Sequence, residues 1–389
     1  MISQSKKTVE TLTNVTYWPA LDGVRAVSIL LVLTVHLRLI APHSKVFLPV
    51  GGFLGVDVFF VISGFLITSL LLAEHRRDGS ISLKSFYYRR ALRLFPALTT
   101  VLLFACLVAI AVGSFSALGL TNIRLASTVF YFSNWIRAYE GTDTWFLFHF
   151  WSLSVEEQFY LLWPALLLFL LRCRFSHRKI LLILVAMIVA SAMLKPALFL
   201  TGSSINRIYY GSDTRADSVL IGCAVAMLLS YGLILPTPRS KRIIRSLAHA
   251  SAIVLVAFVW LAGDGFKPLY VGGLTLVSFC CAAIIIHLIL SPESMVSGWL
   301  SSPGMQWIGK RSYGLYLWHW PMFEIARLFP TEALAVFVGV SLTFFAALLS
   351  FRYIETPFLR LKDHRRRGPG RSRTKSRQVV DSNSLINQE

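Results

Sequence analysis

Arg25 and His36 stand 11 positions apart in "DGVRAVSILLVLTVHLRLI" (22–40), a run otherwise made almost wholly of Leu, Val, Ile and Ala. An arginine is a fixed cation suited to gripping phosphate or carboxylate, and an imidazole exchanges a proton near neutral pH. Eleven α-helical residues advance about 16.5 Å and turn about 1100°, so both side chains share one face, half a bilayer apart. In "GGFLGVDVFFVISGFLIT" (51–68), Asp57 lies at a depth matching His36. A carboxylate there is expected to fix the imidazole's tautomer and stabilise its protonated form. The run "FHFWSLSVEEQFYLLWP" (148–164) places His149, Ser152, Glu156 and Tyr160 on one helical face, with Glu157 turned aside toward the face of Ser154. Two adjacent carboxylates at the start of an apolar run are costly unless paired or facing water.

Further groups follow the same pattern. Asp213, Arg215 and Asp217 open the apolar run in "YYGSDTRADSVLIG" (209–222), and His319 sits inside "GKRSYGLYLWHWP" (309–321). In "SFYYRRALRLFPAL" (85–98), the i,i+3 and i,i+4 spacing of Arg89, Arg90 and Arg93 is expected to gather three guanidinium groups near one helix face. Such a cluster suits bidentate phosphate capture. Pro96 is expected to kink or restart that helix. Bland alternatives exist for each group. Arg25 can snorkel, His36 can be a packing residue, Asp57 can cap a helix and the glutamates can form an interfacial lip. The arginine cluster can simply obey the positive-inside rule.

The elements that must position these residues are helices in lipid. The chain is 55% hydrophobic and 15% charged, with mean hydropathy +0.63, against about 25% charged residues in a soluble domain. Long continuous apolar runs exclude a barrel and predict an all-α polytopic membrane protein. Ten spans are predicted: 20–40, 53–73, 93–113, 150–171, 179–199, 217–234, 247–263, 270–290, 312–328 and 333–353. Those at 217–234, 247–263 and 312–328 are short or interrupted. With both termini cytoplasmic, and some residues at span ends counted with the adjoining loop, 27 of the 38 Lys and Arg fall in inside segments, 7 in outside loops and four within spans. The chain divides into a cytoplasmic N-terminal segment (1–19), a transmembrane domain (20–360) and a basic cytoplasmic tail (361–389).

Much of the net charge of +19 lies in that tail, which suits anionic lipid heads. Neither aromatic interleaving nor a nucleic-acid-binding fold accompanies it, so nucleic acid is not an expected partner. The five cysteines are scattered through apolar sequence and suggest neither a metal site nor a disulfide framework. The first apolar run is too long for a signal-peptide core and is expected to remain as an anchor. The aromatic segment 114–149 is expected outside, folded back toward the interface.

On this map the polar residues sort by depth. Arg25, Arg89, Arg90 and Arg93 gather at the inner mouth; His36, Asp57, Glu156, Glu157, Arg215 and Asp217 gather in the outer half. One end suits a phosphorylated ligand from the cytosol, the other proton transfer.

Taken in order, the Arg25–His36 pair, "GVDVFFVISGFLIT", "RRALRLFPAL", "WSLSVEEQFYLLWP", "RADSVLIG", "SYGLYLWHWP" and "ETPFLR" (355–360) resemble acyltransferase family 3 over roughly residues 17–360. The resemblance implies a ten-span integral membrane O-acyltransferase of the inner (plasma) membrane. It also implies an acyl-CoA donor, usually acetyl-CoA, no bound cofactor or metal, and a sugar or surface-polysaccharide acceptor. Arg25 and His36 would be the family's Arg–x10–His pair, and Arg90 and Arg93 its donor-binding Arg–x–x–Arg element. His36, Asp57, Glu156 and Glu157 are then candidate catalytic residues, with His36 as base or acyl carrier. Arg25, Arg89, Arg90 and Arg93 are candidate acyl-CoA ligands, and Tyr160, Arg215, Asp217 and His319 candidate acceptor-site residues. Some family members carry a fused extracytoplasmic hydrolase-like domain; none is expected after the basic tail here. Two rivals are an acyltransferase for a small glycoside such as a macrolide sugar and a non-enzymatic transporter of a sugar-linked lipid.

Overall fold

The computed structural model describes residues 17–43, 48–141, 145–263 and 265–366. Residues 1–16 and 367–389, hence most of the N-terminal segment and basic tail, lie outside the described residues. Every regular element described is helical. In chain order they are α1 (Pro19–Ile40), α2 (Gly55–Asp78), α3 (Leu83–Val112), α4 (Asn122–Val129), α5 (Ser133–Glu140), α6 (Trp151–Arg172), α7 (His177–Leu200) and α8 (Ile205–Tyr210). There follow α9 (Ser212–Ser230), α10 (Pro238–Leu261), α11 (Leu274–Leu290), α12 (Met295–Leu300), α13 (Pro303–Lys310), α14 (Ser312–Ala326), α15 (Glu332–Leu349) and α16 (Thr356–Arg366). Ser82, Ser176, Thr237 and Thr331 cap α3, α7, α10 and α15 by accepting a backbone N–H in the first turn, a contact worth about 1 kcal/mol each.

Ten helices match the ten predicted spans, but among the described residues eight helical stretches are long and apolar enough to cross a membrane. The two that fall short are α9, with Asp213, Arg215 and Asp217 in its first six residues, and α14, with 15 residues. Both are interior. Twelve of the 19 residues of α9 and twelve of the 15 of α14 are buried. Neighbouring helices shield them from lipid, so hydropathy is not what holds them. α10 is the converse. It begins nine residues before its predicted start, is long and apolar, and buries only Ala248.

α2 and α9 cross in close backbone contact. A Cβ on Gly64 would lie 1.9 Å from the Val219 carbonyl oxygen, and one on Gly222 2.0 Å from that of Val61. The backbones therefore touch, the usual means of gaining packing contacts where no hydrophobic effect drives helices together.

Two differences from expectation matter for the site. Pro96 does not restart a helix: α3 runs through it for 30 residues. The segment after α3 does more than rest at the interface. Helices α4 and α5 lie over residues 145–150, all of which are buried. Arg137 of α5 is itself buried and donates to the Tyr210 hydroxyl at 2.7 Å. α6 consequently starts from a buried segment.

Candidate functional site

Five helices converge on one cavity of about 650 Å³ of non-atom space, part of it open to solvent. α1 contributes Arg25, α2 Ser63, α3 Arg90 and Arg93, α6 Ser152, Glu156, Glu157 and Tyr160, and α14 Tyr313 and Tyr316. The expected separation by depth fails here. Three arginines from the supposed inner mouth share a cavity with two carboxylates assigned to the outer half. Arg90 and Arg93 near the start of α3 and Glu156 and Glu157 near the start of α6 face the same space. Glu157 also faces this cavity with Glu156, not aside with Ser154, which bonds to Ser133 at 2.8 Å instead.

Tyr160 organises the charges. The Arg90 guanidinium sits 3.5 Å from its ring centroid, and its hydroxyl donates to Glu156 Oε2 at 2.9 Å. Ser63 donates to the other oxygen of Glu156 at 3.2 Å. Arg25 is 3.8 Å from Asp22. Arg89 is absent from the cavity lining, against expectation. Glu74 at the end of α2 holds it at 3.2 Å, and Ser85 accepts from it as well.

At the cavity's far end the Tyr316 hydroxyl donates to the His149 carbonyl at 2.8 Å, with Ser152 Oγ 2.6 Å from the same hydroxyl. Behind Tyr316 stands a row of imidazoles. Ring centroids are 5.3 Å apart for Tyr316 and His319, 5.0 Å for His319 and His149, and 4.8 Å for His319 and His36. His36, half-buried, also packs on Trp320 at 5.4 Å and Phe148 at 5.7 Å.

Asp57 does not orient His36. The His36 Nδ1 faces the Val32 carbonyl at 2.8 Å, whereas Asp57 Oδ1 accepts from Arg215 at 2.7 Å, both side chains being fully buried. The helix face explains this. Asp57, Val61 and Gly64 recur at i,i+4,i+7 on the face of α2 that meets α9, while Val56, Phe59 and Ser63 line the cavity. Asp217 likewise pairs with Lys195 of α7 and accepts from Thr275 at 2.6 Å. Arg215 and Asp217 are therefore outside the cavity lining, in buried ion pairs that join α2, α7 and α9.

The sequence reading did not single out Ser63, Tyr313, Tyr316 or the partner role of Lys195. The signal for Lys195 was present as a lone cation inside a predicted span. Nothing marked the hydroxyl groups, which are ordinary in membrane helices. Among the described residues, no three His, Cys, Asp or Glu side chains are placed to hold one metal ion.

Comparison with known proteins gives a consistent picture. A family model described as "Acyltransferase domain" matches residues 18–352. The peptidoglycan O-acetyltransferase OatA of Listeria monocytogenes is 34% identical over 365 residues, covering 88% of this chain and 56% of the relative. A protein named "Putative peptidoglycan O-acetyltransferase YrhL" in Bacillus subtilis is 34% identical over 368 residues, covering 88% and 55%. A third, named "Putative O-acetyltransferase" in Staphylococcus aureus, is 36% identical over 354 residues, covering 88% and 57%. The chain thus spans somewhat over half the length of these relatives. No solved structure matches it.

Proposed function

The chain belongs to the acyltransferase family, and on that premise we propose that it moves an acetyl group from acetyl-CoA to a hydroxyl of a cell-wall sugar. The observation that carries this reading is the cavity itself. It joins Arg25, Arg90 and Arg93 to Glu156 and ends on the tyrosine that packs against the histidine row. Guanidinium groups bind phosphate through charge-assisted, often paired hydrogen bonds. In the proposed orientation both termini are cytoplasmic, in the inner membrane, and the donor enters from that side. Its phosphates meet Arg90 and Arg93, with Arg25 beside them. Its arm then runs along α1, where Arg25 and His36 are separated by about 16.5 Å of helix, past Ser152 and Tyr316.

The chemistry follows from the tautomers. A backbone carbonyl only accepts, so the His36 Nδ1 facing Val32 carries the hydrogen and Nε2 keeps its lone pair. Nε2 removes the acceptor's hydroxyl proton as that oxygen attacks the thioester carbonyl carbon. The C–S bond breaks, and the thiolate leaves toward the cavity and takes up a proton. A positioned base of this kind contributes about 10²–10⁴-fold. Glu156, fixed by Ser63 and Tyr160, balances the arginines and keeps the donor-binding groups in place.

Membranes containing the protein and supplied with radiolabelled acetyl-CoA test this. Base-labile label on surface glycan is expected, and it should be lost when Arg90 and Arg93 are both Gln. Absence of any transferred label overturns the reading in favour of a transporter. Label confined to a small glycoside moves the acceptor.

A further inference from the structure

His319 is the middle member of the histidine row, edge-on to both His36 and His149. Each ring spends one nitrogen on a backbone carbonyl. His36 Nδ1 faces Val32 at 2.8 Å, His319 Nδ1 faces Tyr316 at 2.6 Å, and His149 Nε2 faces Leu317 at 3.1 Å. The remaining nitrogens therefore carry lone pairs. Those of His319 and His149 are sealed from solvent and have no hydrogen-bond partner. Buried polar atoms are nearly always satisfied, and a hydrocarbon side chain would fill the same space without a penalty, so two orphans in one row call for a role.

Metal ligation is not that role in this geometry, because among the described residues no three His, Cys, Asp or Glu groups are placed to hold one metal ion. No carboxylate bonds to any of the three rings among the described residues. The charged groups facing the row are Arg137, 5.0 Å from the Phe148 ring that covers His36, and Arg327, 5.4 Å from the Trp320 ring on its other side. The carboxylates of Glu156 and Glu157 lie beyond Ser152 and Tyr316. Arg327 is itself paired with Glu324 at 3.3 Å, and with no carboxylate bonded to a ring the row is arranged to pass a proton rather than to hold one.

We propose that His319 and His149 form a proton relay between His36 and the cavity, a step that rests on the acyl-transfer reading above. The proton taken by His36 Nε2 from the acceptor hydroxyl passes to His319 Nε2, directly after a small ring rotation or through one water. From there it moves toward the Tyr316 end of the cavity and protonates the departing thiolate, with His149 Nδ1 as the adjoining acceptor. One proton leaves the acceptor and one arrives on sulfur, so the row ends each turnover neutral.

Two substitutions separate the relay from packing. His319→Asn keeps a donor where Nδ1 meets the Tyr316 carbonyl and removes the Nε2 lone pair. His149→Gln keeps a donor where Nε2 meets the Leu317 carbonyl and removes the Nδ1 lone pair. Acetyl-CoA binding to the detergent-solubilised protein should be unchanged in both. Acetyl transfer should fall about 100-fold in His319→Asn, with an enlarged solvent deuterium isotope effect, and added imidazole should restore transfer to His319→Gly. Transfer within about threefold of the unaltered protein in both variants overturns the relay. So does a slowed His319→Asn with an unchanged isotope effect and no imidazole recovery in His319→Gly. No acetyl-CoA-dependent transfer by the unaltered protein is a different result: it overturns the acyl-transfer reading and takes the relay with it.

Discussion

Tyr160 holds a cation and an anion at once: Arg90 lies 3.5 Å from its ring centroid while its hydroxyl donates to Glu156 at 2.9 Å. Removing only the hydroxyl isolates the second contact. A hydrogen bond to a charged group is worth about 1.5–3 kcal/mol, so Tyr160→Phe should slow turnover by about 10–100-fold with little change in donor KM. Tyr160→Leu also removes the cation–π contact, about 0.5–2 kcal/mol, and should raise donor KM as well. Steady-state kinetics with varied acetyl-CoA distinguish the two. Equal KM values for both variants contradict a donor-side role for Arg90.

Arg89 and Arg90 are neighbours in sequence with different fates. Arg89→Gln removes a part-exposed contact to Glu74, worth about 0–1 kcal/mol, and should leave donor KM within about threefold. Arg90→Gln removes a cavity guanidinium and should raise donor KM tenfold or more. A reversed order would show that the donor binds at the Glu74 end of α3.

The Asp57–Arg215 pair is a stability element in this fold. Asp57→Ala leaves a buried guanidinium uncompensated and should cost about 3–5 kcal/mol, visible as a lower melting temperature in detergent. Replacing both partners together, Asp57→Leu with Arg215→Met, should recover most of it. Unchanged melting with lost transfer would instead place Asp57 in the chemistry.

At the α2–α9 crossing, Gly64→Ala and Gly222→Ala each drive a methyl group into a carbonyl oxygen about 2 Å away. Each should destabilise by at least 1–3 kcal/mol, the usual range for overpacking. Gly304→Ala, where a Cβ meets nothing within 4 Å, is the control and should be neutral or slightly stabilising. Thermal melting of the three proteins reads the difference.

The sequence made the helices legible, because a bilayer demands long apolar runs and these are present. It also named most cavity-lining charges, since an ionisable residue in such a run stands out. Depth was hidden. Glu156 and Glu157 read as outer-half acid–base groups, because nothing local says that residues 145–150 are buried. Partners were hidden for a related reason. Asp57 sits near the edge between two faces of α2, and only the Gly64–Gly222 contact decides which neighbour it meets. His36 and His319 were each visible, but their contact depends on how α1 and α14 pack, which no spacing within either helix records.

The ion pairs of α9 bear on how the chain enters the membrane. With Asp213, Arg215 and Asp217 in its first six residues, α9 partitions poorly by itself, because ionised side chains are costly inside a bilayer. Its counter-charges, Asp57 on α2, Lys195 on α7 and Arg207 on α8, are all synthesised earlier. α9 therefore has neutralising partners already synthesised when it leaves the ribosome, and its insertion is expected to depend on them. Lys195→Ala should accordingly lower the fraction of chains in which a glycosylation tag after α9 reports correct topology.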